Sequence, residues 1–150
     1  MEELEKKIFE KKKQLTQLRK AVPERLVKNY EFISTNHQKL TLLELFGPKD
    51  ELFVIHNMGK SCSYCTMWAD GFNGVYHHLM DKAGFVVANP DDPTVQEDFA
   101  ASRKWQFTMI SVKETTFTSD MGFQNGSSLT PGVSMFCKDE EGDVYLHAQA

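Results

Sequence analysis

The sequence predicts an α/β fold in which flanking helices cover a central mixed sheet, and three observations support this prediction. Short apolar strands alternate with helical segments along most of the chain, a pattern typical of parallel strands joined by helical crossovers. The last two strands are separated only by the polar turn 139–142, which indicates a closing antiparallel hairpin. Two cysteines, Cys62 and Cys65, stand where a strand passes into a long helix.

The composition is that of one globular domain. Of 150 residues, 41% are hydrophobic and 25% are charged, which suffices for a core without disulfide cross-links. A net charge of −4 argues against a nucleic-acid partner, which requires a basic face. No apolar run approaches the roughly 18 residues of a membrane span, and the N-terminus lacks a signal-peptide core. We therefore expect a cytoplasmic protein whose three cysteines serve redox or metal chemistry.

The N-terminal segment is predicted to form a helix over residues 2–21, which Pro23 ends. We expect residues 1–22 to be a helical extension of a domain formed by residues 23–150. Because its apolar stripe is narrow, the helix is expected to dock on its own domain or on a second subunit of a homodimer. A solvated helix that frays is the alternative. The stripe consists of Leu4, Ile8, Leu15 and Leu18.

The elements that follow are predicted from periodicity and turn signals. Thr41 and Glu44 form a capping box before a single helical turn, and another helix is predicted to begin at Pro93. Glycines weaken the long helix predicted over residues 64–80. Residues 115–128 are polar and are predicted to form a loop held by buried aromatic side chains. The predicted strands are residues 29–34, 51–57, 84–88, 107–112, 133–137 and 144–147.

Cys62 and Cys65 lie at a helix start, where unpaired N–H groups and the helix dipole favour a thiolate. Cys62 is nearer the start and Lys60 adds positive charge, so Cys62 is the expected nucleophile. Cys65, one turn later, is expected to resolve a mixed disulfide. Two unreactive thiols with raised pKa values are the alternative. Cys137 lies in a predicted strand and is expected to be a small buried hydrophobic residue; a redox role as a third thiol is the alternative.

Three further residues are candidates for supporting roles. His56 ends the strand before the turn, where it could accept a proton near Cys62, although a half-buried strand histidine is the commoner case. Trp68 is expected to anchor the core rather than to form a platform for substrate. Asp70 stands at helical spacing from Cys65 and is a candidate buried carboxylate tuning that thiol; a helix-surface or capping role is the alternative.

The residues around the two cysteines also resemble known families. The run 62–65 after a strand resembles the thioredoxin active-site turn, and Thr130 with Pro131 resembles the segment that carries a cis-proline facing the dithiol in that family. More closely, residues 62–74 (CSYCTMWADGFNG), 15–20 (LTQLRK) and 131–134 (PGVS) resemble a bacterial family, domain of unknown function 899. That family is described as thioredoxin-like and related to the alkyl hydroperoxide reductase/thiol-specific antioxidant group. The resemblance implies a thioredoxin-like three-layer sandwich with an extra N-terminal helix.

The sequence departs from both related groups at the reactive turn. Ser61 replaces the tryptophan before the first thioredoxin cysteine, and Ser63 with Tyr64 replaces the glycine and proline between the cysteines. Tyr64 is therefore expected to change thiolate stabilisation and partner fit. Gly59 stands three residues before Cys62, where peroxiredoxins carry threonine or serine before the peroxidatic cysteine, so the usual hydroxyl contact is not expected.

Together these observations predict a thiol–disulfide oxidoreductase that uses the Cys62–Cys65 dithiol without a cofactor or metal. Its partners would be a protein or small-molecule disulfide and an external dithiol reductant. A non-catalytic binding protein of the same fold is one alternative. A metal site that joins the cysteine pair to a histidine is another, and the histidines in question are His56, His77 and His78. Peroxide reduction through a sulfenic acid is a variant of the same sulfur chemistry.

Overall fold

The computed structural model describes residues 1–150. The α-helices are α1 (Glu2–Ala21), α2 (Ser63–Gly74), α3 (Tyr76–Lys82), α4 (Pro93–Arg103) and α5 (Phe117–Asp120), and a 3₁₀ turn spans Glu44–Phe46. The strands are β1 (Arg25–Val27), β2 (Glu31–Ser34), β3 (Lys39–Thr41), β4 (Glu51–His56), β5 (Gly84–Asn89), β6 (Thr108–Ser111), β7 (Gln124–Asn125), β8 (Ser128–Leu129), β9 (Gly132–Lys138) and β10 (Val144–Gln149).

Eight strands form one mixed sheet in the order β1-β10-β9-β4-β5-β6-β2-β3. The central strands β4, β5 and β6 pair in parallel, because helices connect them, and every other pairing is antiparallel. The closing hairpin of β9 and β10 lies next to β4. The predicted α/β fold with a mixed sheet, flanking helices and a long N-terminal helix is confirmed.

Apolar residues cover both faces of the sheet, as β5 shows most directly. All six residues of β5 are buried. Because side chains alternate along a strand, Phe85 and Val87 join the cluster beneath α2 and α3, whereas Val86 and Ala88 join the larger cluster on the opposite face. A strand covered on both faces is expected to be apolar throughout, which is why this strand was recognisable in the sequence.

The long helix predicted over residues 64–80 is two helices. α2 ends at Gly74, and Val75 has φ −117° and ψ 12°, outside the helical region. Two glycines in the last turn of α2 lower its helical stability, and Val75 adds a β-branched residue. The prediction that glycines weaken this segment is therefore confirmed, and the weak point divides it into two separate helices at Val75.

The segment 115–128, predicted to be a loop, contains α5 and the small hairpin of β7 and β8. Phe117 is fully buried and packs edge-on against Tyr30 and Phe32, with ring centroids 5.0 and 5.1 Å away. The anchoring by buried aromatic side chains is thus confirmed, whereas the absence of regular structure is wrong.

Among the short elements, the predicted capping box is confirmed, whereas two three-residue strands were not predicted. The capping box is present, since Thr41 N–H donates to Glu44 Oε2 at 2.7 Å and Glu44 N–H donates to Thr41 Oγ1 at 3.3 Å. Sequence periodicity missed β1 and β3, because three-residue strands are too short to show alternation.

The N-terminal helix α1 has no buried residue. Leu4 and Leu18, two residues of its apolar stripe, are 62% and 68% exposed, so the expected docking on its own domain is wrong. The division at residue 22 stays a prediction. None of the helices combines the length and apolar character that a membrane-spanning helix needs.

Candidate functional site

The two cysteines occupy the turn between β4 and α2 as predicted. Cys62 is the N-cap residue of α2, with extended backbone angles of φ −91° and ψ 106°. Its Sγ accepts a hydrogen bond from the Cys65 N–H at 3.2 Å, so the sulfur fills the role that a capping oxygen usually has. A negative charge on that sulfur would face the free N–H groups and the positive end of the helix dipole.

The two thiols have opposite environments. Cys62 is half-exposed, and its pKa is lowered by a hydrogen bond from the Cys65 thiol and by the backbone N–H groups of Cys65 and Tyr64. Cys65 is only 4% exposed, and burial followed by its hydrogen bond to Cys62 raises its pKa to about 11. Both are free thiols, and Cys62 is the one that ionises first.

The turn is held by two residues that the sequence analysis missed. Asn57 accepts a hydrogen bond from Gly59 N–H at 2.8 Å, and Asp91, two residues after the end of β5, accepts one from Lys60 N–H at 2.7 Å. Gly59 has φ +101°, and an added Cβ would lie 2.9 Å from Asp91 Oδ1, so only glycine fits there without strain. The Asn57–Gly59 spacing was a readable turn signal; the contact with Asp91 is not local and had none.

An apolar cavity of about 550 Å³ opens beside the dithiol. Both cysteines and His56 contribute to its wall, and most of the remaining lining is hydrophobic. Helix α2 supplies one side and the start of β9 the other. The apolar lining residues are Ile55, Met58, Tyr64, Trp68, Phe72, Pro131, Val133 and Ala150.

Trp68 lines this cavity and is 62% exposed. The prediction that it anchors the core is wrong. Cys65 and Ala69 are the buried residues of α2. At about 100° per residue, Trp68 lies roughly 80° to one side of the direction midway between them, so its side chain flanks the buried face and lines the cavity. Tyr64 lies at the same cavity and is 75% exposed.

His56 belongs to the core more than to the reactive turn. It is 3% exposed, its Nε2 lies 2.8 Å from Ser134 Oγ, and its ring stacks on Phe123 at 4.1 Å. It makes no hydrogen bond to Cys62. Burial lowers the pKa of His56 to about 3, so the ring is neutral near pH 7. The predicted proton acceptor near Cys62 is not brought into contact with it.

The buried neutral His56 should make stability depend on pH. Because its pKa is about 3 in the folded protein and about 6.5 when unfolded, only the unfolded chain takes up its proton between these values. The free energy of unfolding should therefore fall by about 2 kcal/mol from pH 7 to pH 5 on account of this group. Urea unfolding at the two pH values measures it.

Two variants make the pH measurement specific. Replacing the buried ring in His56→Gln should remove this loss of stability, whereas His78→Ala, at an exposed histidine, should retain it. An equal pH dependence in wild type and His56→Gln would contradict the assignment.

Neither the Lys60 nor the Asp70 side chain contacts the thiols. Asp70 pairs with Arg103 and accepts a hydrogen bond from Trp105 Nε1 at 2.8 Å, and Arg103 is the main cause of its lowered pKa. It therefore joins α2 to α4 at the surface, which is the alternative predicted for it. The Lys60 side chain is exposed and shares a shallow groove with Asp70 and Arg103, away from the apolar cavity. The lowered pKa of Cys62 arises from hydrogen bonds instead.

Of the two residues predicted to face the dithiol from the segment before β9, Pro131 does so and Thr130 does not. Pro131 lines the cavity with Cys62, but the chain contains no cis peptide bond, so the cis form implied by the thioredoxin resemblance is corrected to trans. Thr130 lies outside the cavity: its N–H and Oγ1 donate to the Phe123 carbonyl at 2.9 and 3.4 Å. These bonds continue the pairing of the β7–β8 hairpin and carry the chain in an extended path into β9.

None of the histidines considered for a metal site forms a ligand cluster with the dithiol. No cluster of three or more potential metal ligands includes Cys62 or Cys65. His77 and His78 are exposed on α3, and His56 bonds to Ser134.

Comparison with known proteins places the fold and the family. The family described as "Bacterial protein of unknown function (DUF899)" matches residues 2–148, and no curated protein matches the sequence. Peroxidoxin BcpB from Mycobacterium tuberculosis is 19% identical, with 85% of this chain and 83% of that chain covered and a TM-score of 0.69. A peroxiredoxin-like protein from Aquifex aeolicus is 18% identical, with 85% and 74% covered and a TM-score of 0.64.

A third similar structure is the mitochondrial 2-Cys peroxiredoxin from Plasmodium falciparum, which is 12% identical, with 86% of this chain and 82% of that chain covered and a TM-score of 0.63. At these identities the likeness shows the fold alone. That fold is thioredoxin-like, of the variety found in peroxiredoxins.

Proposed function

The chain belongs to the DUF899 family of bacterial proteins, and we propose that it is a thiol–disulfide oxidoreductase whose reactive pair is Cys62 and Cys65. The observation that carries this proposal is the asymmetry of the pair. Cys62 is half-exposed with a lowered pKa, and Cys65 behind it is buried with a raised pKa. An accessible thiolate followed by a protected thiol is the arrangement that disulfide exchange requires.

The proposed reaction has two exchange steps. The Cys62 thiolate attacks one sulfur of a substrate disulfide, forms a mixed disulfide and releases the other substrate sulfur as a thiolate. Cys65 then loses its proton to that thiolate or to water, attacks the Cys62 sulfur and releases the second substrate thiolate. The product is a Cys62–Cys65 disulfide, and an external dithiol returns both cysteines to thiols. Two electrons pass from the protein to the substrate in each cycle.

The cavity supports a substrate with an apolar or aromatic group next to its disulfide. Its wall is mostly hydrophobic and ends at Cys62, so burial of such a group would bring the neighbouring sulfur to the thiolate. A small-molecule disulfide and a protein disulfide beside an apolar side chain both fit this description.

Trp68→Ala should slow the reaction with an apolar substrate while leaving the thiolate intact. We expect the second-order rate constant for reduced protein with a small aromatic disulfide to fall about 3–10-fold, the loss of one aromatic contact. Alkylation of Cys62 by iodoacetamide, which needs no apolar contact, should be unchanged. Stopped-flow absorbance and mass mapping measure the two rates.

The matched control is Met67→Ala, since Met67 is 57% exposed on the same helix but lies outside the cavity. It should leave both rates unchanged. Equal effects of the two substitutions would contradict a role of the cavity in binding substrate.

Stoichiometry tests the proposed function itself. Reduced protein mixed with an aromatic disulfide that yields a coloured thiolate should release two thiolates, one on attack by Cys62 and one on resolution by Cys65. The first release should be faster than with free cysteine at pH 7, because more of Cys62 is ionised. Release that is no faster, or that depends on Cys137, would favour the non-catalytic binding protein.

Peroxide reduction is the second candidate, supported by the names of the similar structures, a peroxidoxin and peroxiredoxins. A hydroperoxide would oxidise the Cys62 thiolate to a sulfenic acid and leave as an alcohol or water. Cys65 would then condense with the sulfenic acid to give the same disulfide and one water. Consumption of hydroperoxide in the presence of dithiothreitol, lost in Cys62→Ser, would support it; consumption at the rate of free cysteine would remove it.

The proposal also includes a homodimer and a cytoplasmic location. The exposed stripe of α1 supports a homodimer, which sedimentation velocity showing only monomer would exclude. A cytoplasmic location would keep the cysteine pair reduced between cycles, and alkylation trapping in cells would show whether the pair is reduced there.

A further inference from the structure

A second group of reactive side chains lies at the other end of the sheet. Glu51 begins β4 and is paired with Cys137, whereas the turn carrying Cys62 follows the last residue of β4. Cys137 was expected to be a buried hydrophobic residue, but it is only half-buried, and its thiol donates to Glu24 Oε1 at 3.4 Å. His147 Nδ1 lies 2.6 Å from the same carboxylate oxygen.

The backbone brings these three side chains together from distant parts of the chain. Glu24 precedes β1, and β1 pairs antiparallel with β10, which places it across from His147. Cys137 in β9 pairs with Tyr145, two residues before His147. The register shifts between Leu146 and Ala148, and such a bulge re-aims a side chain at a strand edge. His147 is the residue at that bulge.

We propose that Glu24, Cys137 and His147 form a binding site for one divalent metal ion of the zinc class. Thiolate, imidazole and carboxylate are the ligands zinc takes in proteins, and three protein ligands leave a fourth position for water. The three donor atoms lie within 4.8 Å of one another. Donors held tetrahedrally at about 2.0–2.3 Å from one zinc ion are about 3.3–3.5 Å apart. The Cys137–Glu24 contact of 3.4 Å already has this spacing, and the Glu24–His147 contact of 2.6 Å has to widen to admit the ion.

Access and charge also suit a cation. The side chains of His147 and Glu24 are 50% and 47% exposed, which leaves a path for the ion. The Glu24 carboxylate lies against both other donors and supplies negative charge for the ion. On binding, the metal replaces the thiol proton of Cys137, which is released to solvent. This site is independent of the proposed dithiol function.

The test uses the full chain with Cys62→Ser and Cys65→Ser, so that Cys137 is the only thiol. Titration with Co²⁺, a spectroscopic substitute for zinc, should give a thiolate-to-cobalt absorption band that saturates at one equivalent, and Zn²⁺ should abolish the band by competition. Adding Cys137→Ser should remove the band. Adding His147→Ala should weaken affinity by at least about 10-fold, since loss of groups that merely orient ligands already costs that much.

Glu24→Gln, a nearly isosteric change at an exposed residue, serves as a second test and should also weaken binding. The matched control is His78→Ala, which should bind Co²⁺ as the parent does. Absence of the band, or a band unaffected by both His147→Ala and Glu24→Gln, would overturn the proposal. Circular dichroism of each variant shows that it is folded.

Discussion

Cys65→Ser should remain covalently joined to its substrate as a mixed disulfide at Cys62. In the wild-type protein the Cys65 sulfur is within hydrogen-bonding reach of Cys62 and resolves the intermediate. Serine cannot do so, and Cys137 is at the far end of the sheet. With a small aromatic disulfide and no added reductant, the intact variant should gain the mass of one half-substrate and release one thiolate where the wild type releases two. Mass spectrometry under non-reducing conditions detects the adduct.

Two further single variants serve as controls for this prediction. Cys62→Ser should give no adduct at Cys65, because that thiol is buried and its pKa is raised. Cys137→Ser should form and resolve the adduct as the wild type does. An adduct that maps to Cys65 in preference to Cys62 would contradict the assignment of nucleophile and resolving thiol.

Phe117→Ala should cost about 3–5 kcal/mol of folding stability, the usual range for deleting a fully buried phenylalanine. The side chain has no exposed surface, and its ring contacts Tyr30, Phe32, His56 and Phe136. Its loss would leave a cavity where α5 joins the sheet. Urea unfolding monitored by circular dichroism measures the change in the free energy of unfolding.

The matched control is Phe9→Ala on α1, where the ring is 66% exposed, and its effect should stay within about 0.5 kcal/mol. A loss below about 1 kcal/mol for Phe117→Ala would mean that α5 is not part of the cooperative core.

The parts of the fold that the sequence predicts are those with local causes. β4 and β5 are continuous apolar runs because both faces of these central strands are covered. The hairpin of β9 and β10 follows from one polar turn, and the position of Cys62 follows from the strand-to-helix order around it. These features need no knowledge of which elements meet in space.

The parts that the sequence does not predict depend on contacts between distant residues. The exposure of Trp68 depends on how α2 is rotated on the sheet, which Ala69 and Cys65 decide by packing against it. Asp91 accepts a hydrogen bond from Lys60, which lies 31 residues earlier in the chain, and His147 contacts Glu24, which lies 123 residues earlier. Neither contact has a signature in local spacing or periodicity.

A redox titration of Cys62 and Cys65 decides whether these two cysteines form a redox-active pair. Metal-free protein would be equilibrated in glutathione buffers of graded potential, alkylated and mapped by mass spectrometry. We expect a reversible two-electron transition that links these two cysteines, between roughly −270 and −120 mV as in other proteins of this fold, with Cys137 alkylated throughout. If both cysteines stay alkylatable at every potential, or oxidise without pairing with each other, the proposed dithiol chemistry is contradicted.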